Sequence, residues 1–285
     1  MRFINYEMDG RPGIAVDDGD RFRGLTCDET RYPGDLSTLI MSGENLSEIG
    51  GRLLGEPVID VRAVTLRPPV ARPPKILCVG LNYEDHLNEV GLKRPEYPEI
   101  FARFSTSLIG HGAVIARPPE SNKLDYEAEL AVVIGRGGRR IAKDAALDHI
   151  AGYSIFNDAT LRDYQIRTPQ WTVGKNFDRT GAFGPWLVTP DALPRGAIGL
   201  RIQGRLNGQT VQDSNTSFLI FNVATLIALL STTMTLEPGD VIITGTPGGV
   251  GVSRNPKLFM KPGDVFEAEI EQIGVLSNPV ADEVG

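Results

Sequence analysis

Two carboxylates separated by a single residue, Glu127-Ala-Glu129, lead directly into the apolar run 130–134. If that run is a strand, its two-residue period puts Glu127 and Glu129 on one face. Carboxylates so placed repel each other unless water or a cation stands between them, and a hard divalent ion bound by oxygen ligands would relieve the repulsion. The plain alternative is a solvated strand edge. Asp158 closes a second apolar stretch, Gly152-Tyr-Ser-Ile-Phe-Asn-Asp158, a place from which site residues often project. It could supply a third oxygen ligand; equally, Asn157 and Asp158 are suited to cap a helix over 159–167. His86 and Glu89 are three residues apart, so one helical turn brings them to the same side. A carboxylate beside an imidazole fixes its tautomer and raises its basicity, which makes a general base and its orienter.

Such groups need strands that end at a common site. Residues 75–80, 130–135, 152–157, 198–206, 241–245 and 265–270 read as strands. Helical spacing is clearest over 218–231, where Phe221, Leu226, Leu229 and Leu230 recur, and is weaker over 145–150. Upstream, 2–6, 13–17 and 22–25 read as short strands before a helix with Leu36, Leu39 and Ile40 on one face. The stretch Arg67-Pro-Pro-Val-Ala-Arg-Pro-Pro74 can continue neither a helix nor a central strand, because its prolines remove donors and fix φ. The domain boundary is therefore set there, between a small N-terminal α+β domain (1–70) and a larger domain (71–285). The expected fold class is α+β and β-rich.

A chain of 285 residues with 41% hydrophobic and 23% charged residues is long and apolar enough to fold around a core. Its formal net charge of -7 argues against a nucleic-acid or anionic-membrane partner, since both demand clustered Lys and Arg. The basic cluster at 136–140 is interrupted by Gly137 and Gly138 and reads as a solvated turn. Cys27 and Cys78 stand far apart, so they are expected as small core residues rather than as a disulfide or thiolate metal site. His111 and His149 are expected at the surface. No charged head with an apolar run opens the chain, and no apolar run reaches about 18 residues; a cytoplasmic location is expected.

Taken in order, five segments resemble the fumarylacetoacetate hydrolase family. They are Gly80-Leu-Asn-Tyr-Glu-Asp-His-Leu-Asn-Glu89, Asp125-Tyr-Glu-Ala-Glu129, Phe156-Asn-Asp158 with Arg162 and Gln165, Gly174-Lys-Asn-Phe-Asp178, and Thr244-Gly-Thr-Pro-Gly-Gly-Val-Gly251. The resemblance spans nearly all of 75–285 and implies a catalytic domain of mixed β-sheet or β-roll type, in a homodimer. It implies magnesium or manganese, with calcium a further candidate, on Glu127, Glu129 and Asp158. Lys175, which its neighbours alone would make a solvated turn residue, would sit beside the metal and stabilise enolate charge or deliver a proton. Thr246 would donate its hydroxyl or backbone N–H to a substrate carboxylate. Arg162 and Gln165, three apart after Asp158, would also face the substrate together in a helical turn, the plain alternative being an exposed helix start. In the family the matching His–Glu pair lies on a mobile segment that closes over the substrate, which would place His86 and Glu89 in a lid. One departure stands out: Arg103 precedes Phe104 and Ser105 where the resemblance leads us to expect a lysine, which puts the substrate's distal contacts in question.

The implied function is hydrolysis of a C–C bond in a small 2,4-diketo acid, an acylpyruvate or a fumarylacetoacetate-like compound, in a catabolic role. The metal would polarise the ketone, His86 with Glu89 would activate water, and the leaving carbon would depart as an enolate held by the metal and Lys175. The same site fits decarboxylation of an oxaloacetate-like acid or isomerisation of a 2-hydroxy-diene-dioate. A non-catalytic metabolite binder on the same scaffold is the third class, and the presence of His86, Glu89 and Lys175 speaks against it.

Overall fold

The computed structural model describes residues 1–91 and 93–284. Strands β1 (Arg2–Met8), β2 (Arg11–Asp17) and β3 (Phe22–Thr26) form an antiparallel meander. Helix α1 (Leu36–Met41) starts where the Asp35 carboxylate accepts the Thr38 N–H at 3.0 Å, and it buries Leu36, Leu39 and Ile40 as their spacing predicts. Helix α2 (Leu46–Leu53) and strands β4 (Val58–Ile59) and β5 (Thr65–Arg67) complete this region. Residues 68–75 are irregular, as their prolines require.

Next come β6 (Ile76–Gly80), α3 (Glu84–Val90), β7 (Glu99–Arg103), β8 (Leu108–Ile109), β9 (Ile115–Arg117), β10 (Leu124–Asp125), β11 (Ala128–Ile134), β12 (Ile150–Asp158) and β13 (Thr160–Leu161). The one-turn helices α4 (Arg162–Gln165) and α5 (Thr172–Lys175) precede β14 (Gly181–Val188), β15 (Arg201–Leu206), β16 (Gln209–Asn215), α6 (Val223–Thr233), β17 (Val241–Ile243), β18 (Val265–Ile270) and β19 (Gly274–Asp282). A 12-stranded sheet runs β4-β3-β2-β1-β14-β12-β11-β17-β6-β7, with β5 on β1 and β8 on β14. A 5-stranded sheet, β16-β15-β18-β19-β9, packs β18 and β19 over β12. The architecture is the strand-rich α+β fold expected.

Because β1 pairs antiparallel with β14, the N-terminal strands and the rest of the chain share one sheet. Phe3 and Ile14 belong to the same buried cluster as Ala131, Val133 and Phe156. Strand β11 lies at the centre, buried along its whole length and apolar after Glu129, with antiparallel neighbours β12 and β17. Strand β17 runs parallel to β6. The start of β11 and the ends of β12, β17 and β6 therefore meet at one edge of the sheet, and the site lies there.

Several expectations change. The helix expected over 218–231 begins at Val223, because Asn222 caps it by accepting the Thr225 N–H, while Thr216–Phe218 is a separate short turn. The strand expected from 198 begins at Arg201, since Ala197 and Gly199 take positive φ. Residues 145–150 give only a 3-10 turn, Ala146–His149. Cys78 is buried but Cys27 is exposed. His149 is buried, its ring held by the carbonyl of Arg136 at 2.7 Å and by the Arg136 guanidinium at 3.1 Å, rather than being a surface residue.

Candidate metal centre and active site

Glu127, Glu129 and Asp158 come together, with ligand-capable oxygens all within 4.8 Å of one another. Two adjacent strands bring this about. Asn157 and Asp158 end β12 opposite the start of β11, where the Asp158 N–H donates to the Glu127 carbonyl and the Asn157 amide oxygen accepts the Glu127 N–H, each at 3.0 Å. Neither residue caps a helix, for the N-cap of α4 is Leu161. The solvated-edge alternative also fails, because all three carboxylates are buried.

Cations surround the cluster unevenly. The Lys175 ammonium donates to Glu127 Oε2 at 2.7 Å and to Asp158 Oδ2 at 2.6 Å. Arg162 reaches Glu127 Oε1 at 2.7 Å, and Arg103 holds Asp158 Oδ1. Burial opposes the charge on Lys175, but the carboxylates of Asp158 and Glu127 outweigh it and hold the ammonium above its ordinary pKa. Glu127 is likewise kept ionised against burial by Lys175 and Arg162. Among the described residues Glu129 has no such partner and receives only the Gly245 N–H, and burial, followed by the charges of Asp158 and Glu127, pushes its carboxyl well above the ordinary range. A buried carboxylate left uncompensated beside two others fits a hard divalent cation bound through oxygen.

The imidazole–carboxylate pair forms on α3. His86 Nδ1 lies 3.1 Å from Glu89 Oε2, and the other Glu89 oxygen accepts the Gly249 N–H at 3.0 Å. Burial raises the Glu89 carboxyl, but hydrogen bonds from His86 and Gly249 prevail and hold it below the usual range. The segment is thus seated on the glycine-rich loop after β17. A further tie runs from Ser214 Oγ to Asp85 at 2.9 Å. Gly245 must be glycine here: its φ is +100°, and a Cβ would fall 2.8 Å from the Asn82 Cβ.

One cavity of about 200 Å³ is lined by His86, Glu127, Glu129, Arg162, Gln165, Lys175 and Thr246 together. The structure therefore gathers the residues that the sequence singles out, but it alters the use of three. The Thr246 hydroxyl donates to the Ala128 carbonyl at 3.0 Å and accepts from Gln212 at 2.8 Å, so its backbone N–H is the group left for a ligand. Arg162 is engaged by Asp125 at 2.7 Å as well as by Glu127, and its Nη1 donates to Gln165 at 3.0 Å. Arg103 does not approach a substrate's far end. It is buried behind Asp158, spanning Ser107, the Ala159 carbonyl and Thr180.

Sequence reasoning left two structural anchors unassigned. Asp125 takes Arg162 and the N–H groups of Gly251 and Val252, tying the floor to the glycine-rich loop. No strand period points to it, because Asp125 ends β10, which pairs with β13 in a sheet separate from that of β11. Asn82 binds the Thr244 carbonyl at 2.7 Å and the Phe221 backbone at 2.8 and 3.0 Å, and no spacing rule announces it.

A strand-rich α+β fold with a buried acidic triad able to hold a cation at its central sheet edge defines the class. Within it the chain belongs to the fumarylacetoacetate hydrolase family: residues 75–281 match the model of the fumarylacetoacetate (FAA) hydrolase C-terminal domain. The chain is 40% identical over 272 residues, 94% of its length and 86% of the relative's, to mitochondrial oxaloacetate tautomerase FAHD2A of Homo sapiens. The solved fumarylacetoacetate hydrolase of psychrophilic Exiguobacterium antarcticum is 34% identical with a TM-score of 0.87, covering 99% of this chain and 100% of that one. Maleylpyruvate hydrolase of Sphingobium sp. SYK-6, solved with manganese (II) ion and pyruvate, is 29% identical with a TM-score of 0.80 over 100% of both chains. No described helix is long and apolar enough to cross a membrane.

Proposed function

We propose that this chain is a divalent-metal-dependent enzyme that interconverts the keto and enol forms of a small 2-oxo acid. The observation that carries the reading is one cavity lined by His86, Glu127, Glu129 and Lys175, with Asp158 completing the acidic triad and Glu89 held against His86. The 40% identity to an oxaloacetate tautomerase over nearly the whole chain supports it. Glu127, Glu129 and Asp158 would hold magnesium or manganese, which when bound supplies electrophilic polarisation of the 2-oxo carbonyl. With Nδ1 directed at Glu89, His86 carries its proton there and leaves Nε2 as the base. It takes the proton from C3, and the C–H electron pair becomes the C2–C3 double bond. The C2=O π pair moves onto the oxygen, where Lys175, held as an ammonium, stabilises the charge and donates the proton that completes the enol, taking it back in the reverse direction. In the reverse direction His86 returns the proton to C3. The Thr246 N–H and Gln165 orient the acid.

A second reading, hydrolysis of a C–C bond in a 2,4-diketo acid, is favoured by the whole-chain likeness to a maleylpyruvate hydrolase and uses His86 to activate water instead. The sequence alone puts this reading first; the tautomerase relatives reverse the order. Both readings carry a homodimer by family resemblance.

The deciding experiment follows ultraviolet absorbance of the enol forms of oxaloacetate and phenylpyruvate, with mass analysis of products from a set of acylpyruvates. Rapid interconversion without new products, abolished by EDTA and restored by Mn²⁺, is expected. Two smaller acids from an acylpyruvate would establish hydrolysis, and no change in either assay would end both readings.

A further inference from the structure

Two of the three carboxylates have no oxygen without a cation beside it. Glu127 gives Oε1 to Arg162 and Oε2 to Lys175, and Asp158 gives Oδ1 to Arg103 and Oδ2 to Lys175, whereas Glu129 takes only the Gly245 N–H among the described residues. An ion held by all three residues needs one oxygen from Glu127 and one from Asp158, and two cations on the same oxygen repel each other. One of the three cations must therefore draw back. Arg103 is held in place, since it is also bonded to Ser107 at 3.3 Å, the Ala159 carbonyl at 3.2 Å and Thr180 at 2.8 Å. Arg162 is held by Asp125 at 2.7 Å and Gln165 at 3.0 Å, and its withdrawal would uncover a further buried carboxylate. The Lys175 ammonium has no partner among the described residues besides Glu127, Asp158 and the Phe101 ring, whose centre is 5.0 Å away. Its backbone is fixed, because Asn176 ties the end of α5 to the Ala102 carbonyl at 3.0 Å and the Thr172 carbonyl at 2.7 Å. A change of place falls to the flexible lysine stem.

We infer that Lys175 is the site's own placeholder cation: it holds Glu127 and Asp158 together and gives up at least one of them when a divalent ion binds. The inference rests on the proposed metal reading and gives Lys175 a second duty beside its part in the reaction. Bridging by the ammonium offsets the mutual repulsion of the carboxylates and keeps their oxygens close. The same bridge opposes the ion, because both compete for the same two residues. A released ammonium still has the Phe101 face, a favourable place for a cation, and stays in the cavity, where the proposed reaction needs a proton donor. Binding of the ion and readiness of Lys175 for the substrate then become one event.

The test is calorimetric Mn²⁺ binding to the full chain and to Lys175→Gln and Lys175→Met, with melting temperatures before and after Mn²⁺ is added. Both variants should bind Mn²⁺ at least about tenfold more tightly, because a close like charge is gone, even though their turnover falls. Before Mn²⁺ is added they should melt below the parent, since Glu127 and Asp158 lose a buried partner, and the rise on adding Mn²⁺ should exceed the parent's. A lysine that only supported the fold would lower stability and affinity together. Unchanged or weaker affinity in a variant that folds overturns the inference and leaves the metal reading standing; failure of the parent itself to bind Mn²⁺ ends the metal reading, and the inference with it. Should neither variant fold, the parent decides: in isotope-labelled protein the nuclear magnetic resonance signal of the buried, slowly exchanging ammonium should shift as Mg²⁺ binds, and a signal that stays in place while Mg²⁺ binds overturns the inference.

Discussion

The floor and the roof of the cavity are built to different standards. Of the floor carboxylates, Glu127 precedes β11, Glu129 lies within it and Asp158 ends β12 at the centre of a 12-stranded sheet, and each is fixed by buried partners. The roof is a seven-residue helix carrying His86 and Glu89, tied down by Glu89 to Gly249 and by Asp85 to Ser214. A rigid floor keeps three like charges close enough to share a cation, which no mobile segment could do against their repulsion. A lightly held roof lets a reactive imidazole arrive and leave with the substrate. On the proposed reading, the metal site would be prepared in advance and the proton-transfer group delivered.

The largest effect that would break this contrast is on the floor. Glu129→Ala should abolish Mn²⁺ binding in calorimetry and lower turnover by about a thousandfold or more, since the bound ion is worth several kcal/mol. The melting temperature of the metal-free protein should hold or rise, because one of three repelling carboxylates is gone. Retained metal binding would remove Glu129 from the ligand set. His86→Ala should slow turnover at least about a hundredfold while Mn²⁺ affinity stays unchanged; a parallel loss of affinity would show that roof and floor are one unit.

Arg103→Lys keeps the charge behind Asp158 but loses the spread of bonds to Ser107, Ala159 and Thr180. Mn²⁺ affinity should fall by about ten- to a hundredfold, as for other residues that orient a metal ligand. An unaltered affinity would mean that the strands alone position Asp158. The smallest effect belongs to the roof tether. The folded-state pKa of Glu89 lies below its ordinary value, so its contribution is present above roughly pH 4.3 and is lost as pH falls through the lower folded value. Amide exchange of Leu87, whose N–H donates to the Tyr83 carbonyl, should accelerate in that acid window. Glu89→Gln should flatten the acceleration.

How much of this was legible before the fold depended on the range of the interaction concerned. Glu127, Glu129, His86 and Glu89 could be paired from spacing because Glu127 and Glu129 straddle the start of β11 and His86 and Glu89 share one helical turn. Strands β11, β12 and β17 were readable as apolar runs. Strand β14 was not, for its Gly184 and Pro185 suggest a turn, and β19 mixes polar and apolar residues because it lies on the smaller sheet with Ser277 and Val275 half covered. Lys175 looks solvated from its neighbours; its burial is set by Glu127 and Asp158, far away in the chain. Arg103 posed the same problem, and only the fold shows that it faces a ligand's back rather than a substrate.

The parallel pairing of β6 with β17 has a consequence for how this protein can change over time. Parallel neighbours release their following segments at the same end, so the turn at Gly80 and Leu81 and the glycine-rich loop both open on the cavity, while the carboxylates stay on the antiparallel strands beside them. Variation at cavity-facing side chains of these segments such as Leu81 leaves the ligands in place, whereas Gly245, whose N–H holds Glu129, is not free to vary. Lineages that share this sheet can diverge in what they accept while conserving how they react, and substrate range becomes the trait that drifts first.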